Sequence, residues 1–472
     1  MNTRIWGLFF AGMLATQAYA SPDELDPLPW DPVESFNSQL PPEELFRRTH
    51  VVLSHFGVPI EPDSRPFLAK YSAHQSRSGL ESILGTVDPL NQFSRFSIFD
   101  SMNLRVFQDR DARNVGDYEV LLNTTDIVED ITPGGFAERL RRAATDNSAH
   151  LPLKGLRIAL DPGHMGSTLW DQRTGKYVHS REGRVLSEGI LNLQTALLLE
   201  TELQKLGAEV YVTHRTPGAV STVPYESFSI QKYGRRALLQ RSLESWFQKL
   251  LGKSISDAAL VKSFERDPTV KSIFSENSRG DYFIRTVDLF ARSDNMEQFN
   301  PDISLVIHYD AAGTADDPNG VSPYPRTRTK VYVYGSVDGS EWASRSDRLD
   351  AAKHLLDPVA WDKSLELSRA VVHNLHSKLK IDYDDRNAGG GFSRWLEPGI
   401  FSRNLVLSRK LSGHAVTYVE CLHYNDKKEF EALSRADYSM QIGGTSYPYS
   451  KRLFQVVEAL RDGVLEFVDG NR

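Results

Sequence analysis

Four segments far apart in the chain each present one residue of the kind a hydrolytic metal site uses. They are Asp161-Pro-Gly-His164, Ser187-Glu188 ahead of Asn192-Leu193, Leu305-Val-Ile-His308 and Tyr418-Val-Glu420. His308 and Glu420 close apolar, β-branched runs, and His164 follows shortly after the run Leu156-Arg-Ile-Ala-Leu160. The carboxyl ends of parallel strands are where open α/β sheets bind ligands. Catalytic zinc takes three protein ligands from His, Asp, Glu or Cys and keeps a fourth position for water, whose pKa it lowers to about 7. A further carboxylate, off the metal, then takes the water's proton and passes it to the departing amine, a transfer worth about 10²–10⁴ in rate. His164, Glu188 and His308 could fill the ligand roles and Glu420 the base role.

Each residue also has a plainer reading. His164 could cap a loop, but Gly163 and Gly166 beside it favour a tight turn that aims the ring. Glu182 rivals Glu188. Glu188 is preferred because it opens a helix-period run (Ile190, Leu191, Leu193, Leu197, Leu198) with Ser187 placed as N-cap, although a first-turn glutamate can simply complement the helix dipole. His308 could be a satisfied core histidine. Glu420 could pair with an arginine, yet a carboxylate directly after Ala415-Val-Thr-Tyr-Val419 is costly if buried alone. His214, His354, His373, His376 and His414 lack matching partners and read as structural, as does His423 unless it lines a groove beside Glu420. Cys421, the single cysteine, reads as a small buried hydrophobe.

Taken in order, the segments resemble the zinc-dependent N-acetylmuramoyl-L-alanine amidases, the family-3 peptidoglycan amidases. The family's Asp-x-Gly-His-x-Gly turn is read in Asp161-Pro162-Gly163-His164-Met165-Gly166, and its helix-opening glutamate, five residues before a leucine, in Glu188 and Leu193. A Gly-x-x-Val strand ending near Thr is read in Gly207-Ala-Glu-Val210-Tyr-Val-Thr213, and the Leu-x-x-Arg helix in Leu289-Phe-Ala-Arg292, with Asn295 soon after. The Ser-Ile-His-Ala-Asn strand end appears as Val306-Ile307-His308-Tyr309-Asp310, and Leu-Val-Glu as Tyr418-Val419-Glu420. Met165, Asp310, the His214 between Thr213 and Arg215, and the spacing of Tyr424-Asn425-Asp426 depart from the family pattern, which touches fine specificity more than the metal site. The resemblance spans residues 154–472 and implies one Zn2+ on His164, Glu188 and His308, with Glu420 catalytic. It implies hydrolysis, by zinc-activated water, of the amide joining N-acetylmuramic acid to the L-alanine of the peptidoglycan stem. Two alternatives stay open: a zinc carboxypeptidase or other peptidase acting on wall peptides, and a non-catalytic wall-binding regulator with the same fold.

Residues 1–20 have the composition of a signal peptide: Arg4, the apolar stretch Ile5 to Ala15, and Ala18-Tyr19-Ala20 as a small-x-small cleavage site. The stretch is too short to span a bilayer, and Ser21 rather than a cysteine follows the expected cut. The expected location is therefore periplasmic or secreted, with no membrane span. One cysteine cannot form a disulfide within the chain, so stability must come from a core. A net charge of −7 without a basic stripe argues against nucleic acid as a partner.

The elements that must position the site follow from periodicity. Residues 21–42 are rich in Pro, Asp and Ser and read as an extended lead-in, within an N-terminal extension or small domain over 21–150. That region has helical patterns at Glu43 to Leu53 and Gly135 to Arg142, and strand-like runs at Leu104 to Phe107 and Tyr118 to Leu122. Residues 151–472 alternate strand and helix, which predicts an α/β fold: a mostly parallel twisted sheet with helices on both faces. Strands are expected near 156–161, 208–213, 303–308, 329–335 and 415–420. Helices are expected near 188–206, 281–298, 362–380, 426–436 and 447–467. Two stretches look like additions, a largely helical one at 217–280 and one at 336–361. Some amidases of the resembled family carry, in the second interval, a helix that plugs the site until an activating protein partner removes it. Glu341, Asp347 and Asp350 would be its candidates to cap the zinc, the plainer reading being a surface loop or groove wall. Oligomeric state is left open.

Overall fold

The apolar runs of the second part of the chain gather into one sheet. The computed structural model describes residues 75–99, 103–107, 116–121, 136–145, 151–228, 259, 280–311, 320–321, 327–338, 345–387 and 392–471. Strand β1 (Arg157–Pro162) leads through helix α1 (Glu188–Lys205) to β2 (Glu209–Val212). Helix α2 (Leu289–Phe299) leads into β3 (Ile303–Asp310), followed by β4 (Arg328–Val333), α3 (Arg345–Leu355) and α4 (Pro358–Leu379). Then come β5 (Ser393–Glu397), β6 (Ile400–Arg403), β7 (Ala415–His423) and α5 (Lys451–Asp469). The order across the sheet is β5-β6-β4-β7-β3-β1-β2, and the short strand Asp382–Tyr383 pairs with β4. β2, β1, β3 and β7 run parallel. β4 is antiparallel to β7, β6 is parallel to β4, and β5 turns back on β6. The sheet is thus mixed, with mostly parallel pairs.

Alternation along the strands assigns the two faces. Ile158, Leu160, Leu305, Ile307 and Val419 face one way and pack with Leu191, Leu199 and Leu203 of α1, Leu367 and Val371 of α4, and Val457, Leu460 and Val464 of α5. Burial of each such side chain is worth about 1.5–3 kcal/mol. Packing rather than helix propensity therefore holds α1 in place. Ala159, Val306 and Val416 face the other way and are covered by Met296 of α2 together with Leu407 and Leu411. Helices lie on both faces, as the pattern predicts.

Several boundaries differ from the sequence expectation. The helix expected from 447 begins only at Lys451, behind the N-cap Ser450. The residues before it, Tyr438–Ile442 and Thr445–Tyr449, form a hairpin across Gly443-Gly444, whose φ values of 56 and 83 suit a turn that needs positive φ. The helix near 426–436 is the shorter Lys427–Leu433, whereas the helix expected near 281–298 is found over 280–299, with a π turn at Phe283–Asp288 ahead of α2. Strands β5 and β6 lie outside the expected set, because Ser393, Arg394, Glu397, Ser402 and Arg403 leave them without an apolar run and Pro398-Gly399 separates them.

The described part of the 336–361 addition, residues 336–338 and 345–361, packs into the protein rather than forming a surface loop. Its helix α3 buries Ala351, Ala352 and Leu355 against Leu80, Ile83 and Val87 of the helix Arg77–Val87, and against Phe93, Leu104 and Val106. Ser336 and Val337 donate backbone hydrogen bonds to Thr86 and Val87 (2.9 and 2.8 Å). Asp347 pairs with Arg409 (3.4 Å), and Asp350 with Lys410 (2.7 Å) and Lys353 (3.2 Å), at the end of the sheet where β7 begins. Zinc-capping by these two aspartates is therefore corrected: their charges are met elsewhere. Glu341, residues 1–42, the helical pattern at Glu43 to Leu53 and most of 217–280 lie outside the described residues. Among the described residues, no helix is long and apolar enough to cross a membrane.

At that same end His414 Nε2 meets Ser304 Oγ (2.7 Å) and His354 Nε2 meets the Arg409 carbonyl (3.0 Å). Burial pushes both imidazoles down to about 4. In the unfolded chain they take protons from pH ~6.5 downward, so folding loses their contribution as pH falls from about 6.5 to about 4. Denaturant unfolding across that window should show stability dropping, with a shallower slope in a His354→Gln/His414→Gln variant.

Candidate metal centre

β1 ends in Asp161-Pro162, and the chain then turns through Gly163 and His164. His164 has φ +63, a left-handed conformation that costs a non-glycine residue about 1–3 kcal/mol unless its surroundings hold it. Those surroundings are specific. Gly163 N donates to the Ile307 carbonyl of β3 (2.9 Å), and Asn192 Nδ2 of α1 donates to the Gly163 carbonyl (2.8 Å). Arg292 of α2 donates to the Pro162 and His164 carbonyls (2.8 and 2.7 Å). Gly163 lies flush on His308, where any Cβ would overlap the imidazole. The turn thereby delivers His164 to the amino end of α1. There Ser187 Oγ accepts from Ile190 N (3.2 Å), and Glu188 is the first helical residue, as the capping pattern predicts.

The three ligand candidates come together. His164 Nε2 stands 3.1 Å and His308 Nδ1 3.0 Å from the same Glu188 oxygen, Oε1. The two imidazoles meet edge-on at 4.7 Å, and the donor atoms of all three residues lie within 4.8 Å of one another. Glu188 and His308 are buried and His164 is partly open. Tyr418 stacks on the His308 ring at 4.5 Å. Burial pushes His308 down to about 4, so its imidazole is neutral, the form that binds a metal. For Glu188, burial acts upward, but the neighbouring His164 and Lys176 outweigh it and hold the carboxyl well below the usual range.

These residues fit zinc. Histidine nitrogens and a carboxylate oxygen about 2.0–2.2 Å from a tetrahedral ion stand roughly 3.3 Å apart, close to the two separations above. His164 Nε2, although 3.1 Å from Glu188 Oε1, is buried without a hydrogen bond of adequate angle, an orphan that an ion would satisfy.

Glu420 sits on β7 directly opposite His308 of β3, with Lys330 of β4 opposite on its other side. Its Oε2 is buried without a hydrogen-bond partner. Burial, then Asp310 and Glu188, raise its carboxyl well above the usual range, against the pull of Lys330. A bound dication would reverse that balance. Beyond Lys330 lies a second cluster. Lys330 Nζ bonds Asp310 Oδ2 (2.5 Å) and Asp384 Oδ2 (2.8 Å), with His423 Nε2 at 3.5 and 3.7 Å from the same oxygens. Burial acts downward on His423, but both carboxylates outweigh it and raise the ring to about 9. Two carboxylates and a histidine have metal-binding chemistry, yet the Lys330 ammonium already supplies their positive charge, so the cluster is an ion-pair network. Asp310, which replaces the asparagine of the resembled pattern, is thereby matched by Lys330.

Sequence reasoning missed Asp171 and Lys330 as contributors, and it named Asn192 and Arg292 only as letters of the resembled pattern. Asp171 is buried, its carboxyl raised to about 6 chiefly by desolvation near Ser187, His164 and Glu188. Lys330 left a trace, a charge heading the apolar run Val331-Tyr-Val-Tyr334. Asp384 left none. His214 is half-buried and its ring is pushed down to about 3 by desolvation and then by Arg292, consistent with a structural role.

No family model matches the chain, and no curated protein matches it. Among solved structures the chain is similar to the CwlD amidase of Clostridioides difficile, determined in complex with the GerS lipoprotein: 14% identity, 67% of this chain and 99% of that one, TM-score 0.36. It is also similar to the N-acetylmuramyl-L-alanine amidase Ami1 of Mycobacterium abscessus (12% identity, 67% and 99% covered, TM-score 0.35). A third likeness is to the N-acetylmuramoyl-L-alanine amidase AmiC2 of Nostoc punctiforme (13% identity, 66% and 96% covered, TM-score 0.32).

Proposed function

We propose that this chain is a zinc-dependent peptidoglycan hydrolase of the amidase type, acting in the periplasm or after secretion, that cleaves the amide between N-acetylmuramic acid and the L-alanine of the stem peptide. The observation that carries this reading is the convergence of His164, Glu188 and His308 on one point at the strand tips, with Glu420 beside His308 on the next strand. A zinc ion held there would polarise the scissile carbonyl and lower the pKa of water. His164, Glu188 and His308 would hold the ion. Glu420 takes the proton of the attacking water and returns it to the amine of L-alanine as the amide breaks.

Mass spectrometry of purified peptidoglycan treated with the protein tests this. Free stem peptides beginning with L-alanine are expected, absent with a chelator and restored by added zinc. Release of terminal D-alanine would instead indicate a wall peptidase, and a zinc-loaded protein that binds sacculi without releasing product a wall-binding regulator. His164→Ala should purify with little zinc by elemental analysis.

A further inference from the structure

Arg292 is 99% buried in a chain whose proposed chemistry makes no use of it. All three of its guanidinium nitrogens donate hydrogen bonds. Nε donates to Asp288 Oδ2 (2.7 Å), Nη1 to Asp161 Oδ1 (3.1 Å) and the Pro162 carbonyl (2.8 Å), and Nη2 to the His164 carbonyl (2.7 Å). The two carbonyls bracket Gly163, the residue that lies flush on His308. One planar fork therefore grips the turn on both sides of its closest approach to the second histidine. Both carboxylates have further duties. Asp161 Oδ1 also accepts from Thr213 Oγ1 (2.6 Å), tying in the end of β2. Asp288 Oδ1 accepts from Val220 N (2.5 Å) and Ser221 N (3.1 Å), at the start of the 217–280 addition.

We propose that Arg292 is a positioning residue for His164, and that Asp288 makes the base of the 217–280 addition part of the same support. The inference rests on the zinc reading above. Burying one cation with two anions is expensive compared with apolar packing, so simple stability is a poor reason for the triad. A rigid fork that fixes two carbonyls at once is a better one. Lysine keeps the charge but offers a point donor that cannot span both carbonyls.

The test is zinc affinity, by chelator competition, in Arg292→Lys and Asp288→Asn, with metal-free melting temperatures and the visible absorption of the cobalt-substituted proteins. Supports of metal ligands typically change affinity by about 10–100-fold when mutated. Arg292→Lys is expected to weaken zinc by that factor, to alter the cobalt bands, and to leave the metal-free melting temperature within a few degrees of wild type. Asp288→Asn should weaken zinc several-fold and reduce amide protection at 218–221 in hydrogen exchange. Wild-type zinc affinity and cobalt bands in a folded Arg292→Lys would overturn the proposal. Should that variant fail to fold, wild-type affinity in Asp288→Asn does the same. A wild-type chain that binds no zinc removes the functional reading and this one with it, whereas wild-type chain that binds zinc beside an indifferent Arg292→Lys removes this one alone.

Discussion

Glu420→Gln is expected to retain zinc and lose about 10²–10⁴-fold in kcat, the usual worth of a positioned proton carrier. Glutamine keeps the length and shape of the side chain, so the register of β7 against β3 and β4 should survive. Lys330 keeps Asp310 and Asp384 as partners, so the substitution leaves no buried ammonium stranded. What it removes is the carboxylate that can take a proton. Glu188→Gln should behave differently. Glu188 Oε1 is the atom that both His164 and His308 approach, so that variant should lose the metal itself. Elemental analysis combined with dye release from labelled sacculi separates the two. Near-normal turnover in Glu420→Gln would remove Glu420 from the base role.

The contrast between those two glutamates also explains how much of the site could be read from sequence. Glu188 was legible because Ser187 caps the helix it opens, a relation three residues long. His308 and Glu420 were legible because a polar residue at the end of an apolar strand needs a reason, and parallel strands bring such ends together. Arg292 was legible only as a motif letter, since two of its acceptors are backbone carbonyls that a sequence does not display. The acidic residues of 336–361 misled for a related reason. Nothing local distinguishes an aspartate facing a metal from one facing Arg409 or Lys410, whose approach depends on where β7 begins. Likewise, strand alternation revealed β1, β3 and β7 but could not reveal that β4 runs against them, because period 2 carries no direction.

Gly163→Ala is the smallest change from which a site-wide effect is expected. Its Cβ would overlap Nε2, Cε1 and Cδ2 of His308, and both available escapes are costly. If the turn retreats, the Gly163 N–Ile307 carbonyl and Asn192–Gly163 carbonyl bonds break, leaving buried polar groups at about 1–3 kcal/mol each. If His308 rotates, its Nδ1 leaves Glu188 Oε1 and a ligand is lost. Either route should weaken zinc by at least the ~100-fold upper end seen when the support of a metal ligand is removed, measured by chelator competition. Gly85→Ala is the matched control. It lies in the helix Arg77–Val87 with open space at its Cβ, so it should be neutral or stabilise by about 0.5–1 kcal/mol. A Gly163→Ala protein that binds zinc like wild type would mean that the His308 ring does not lie against this turn, and the three donors would no longer share one point.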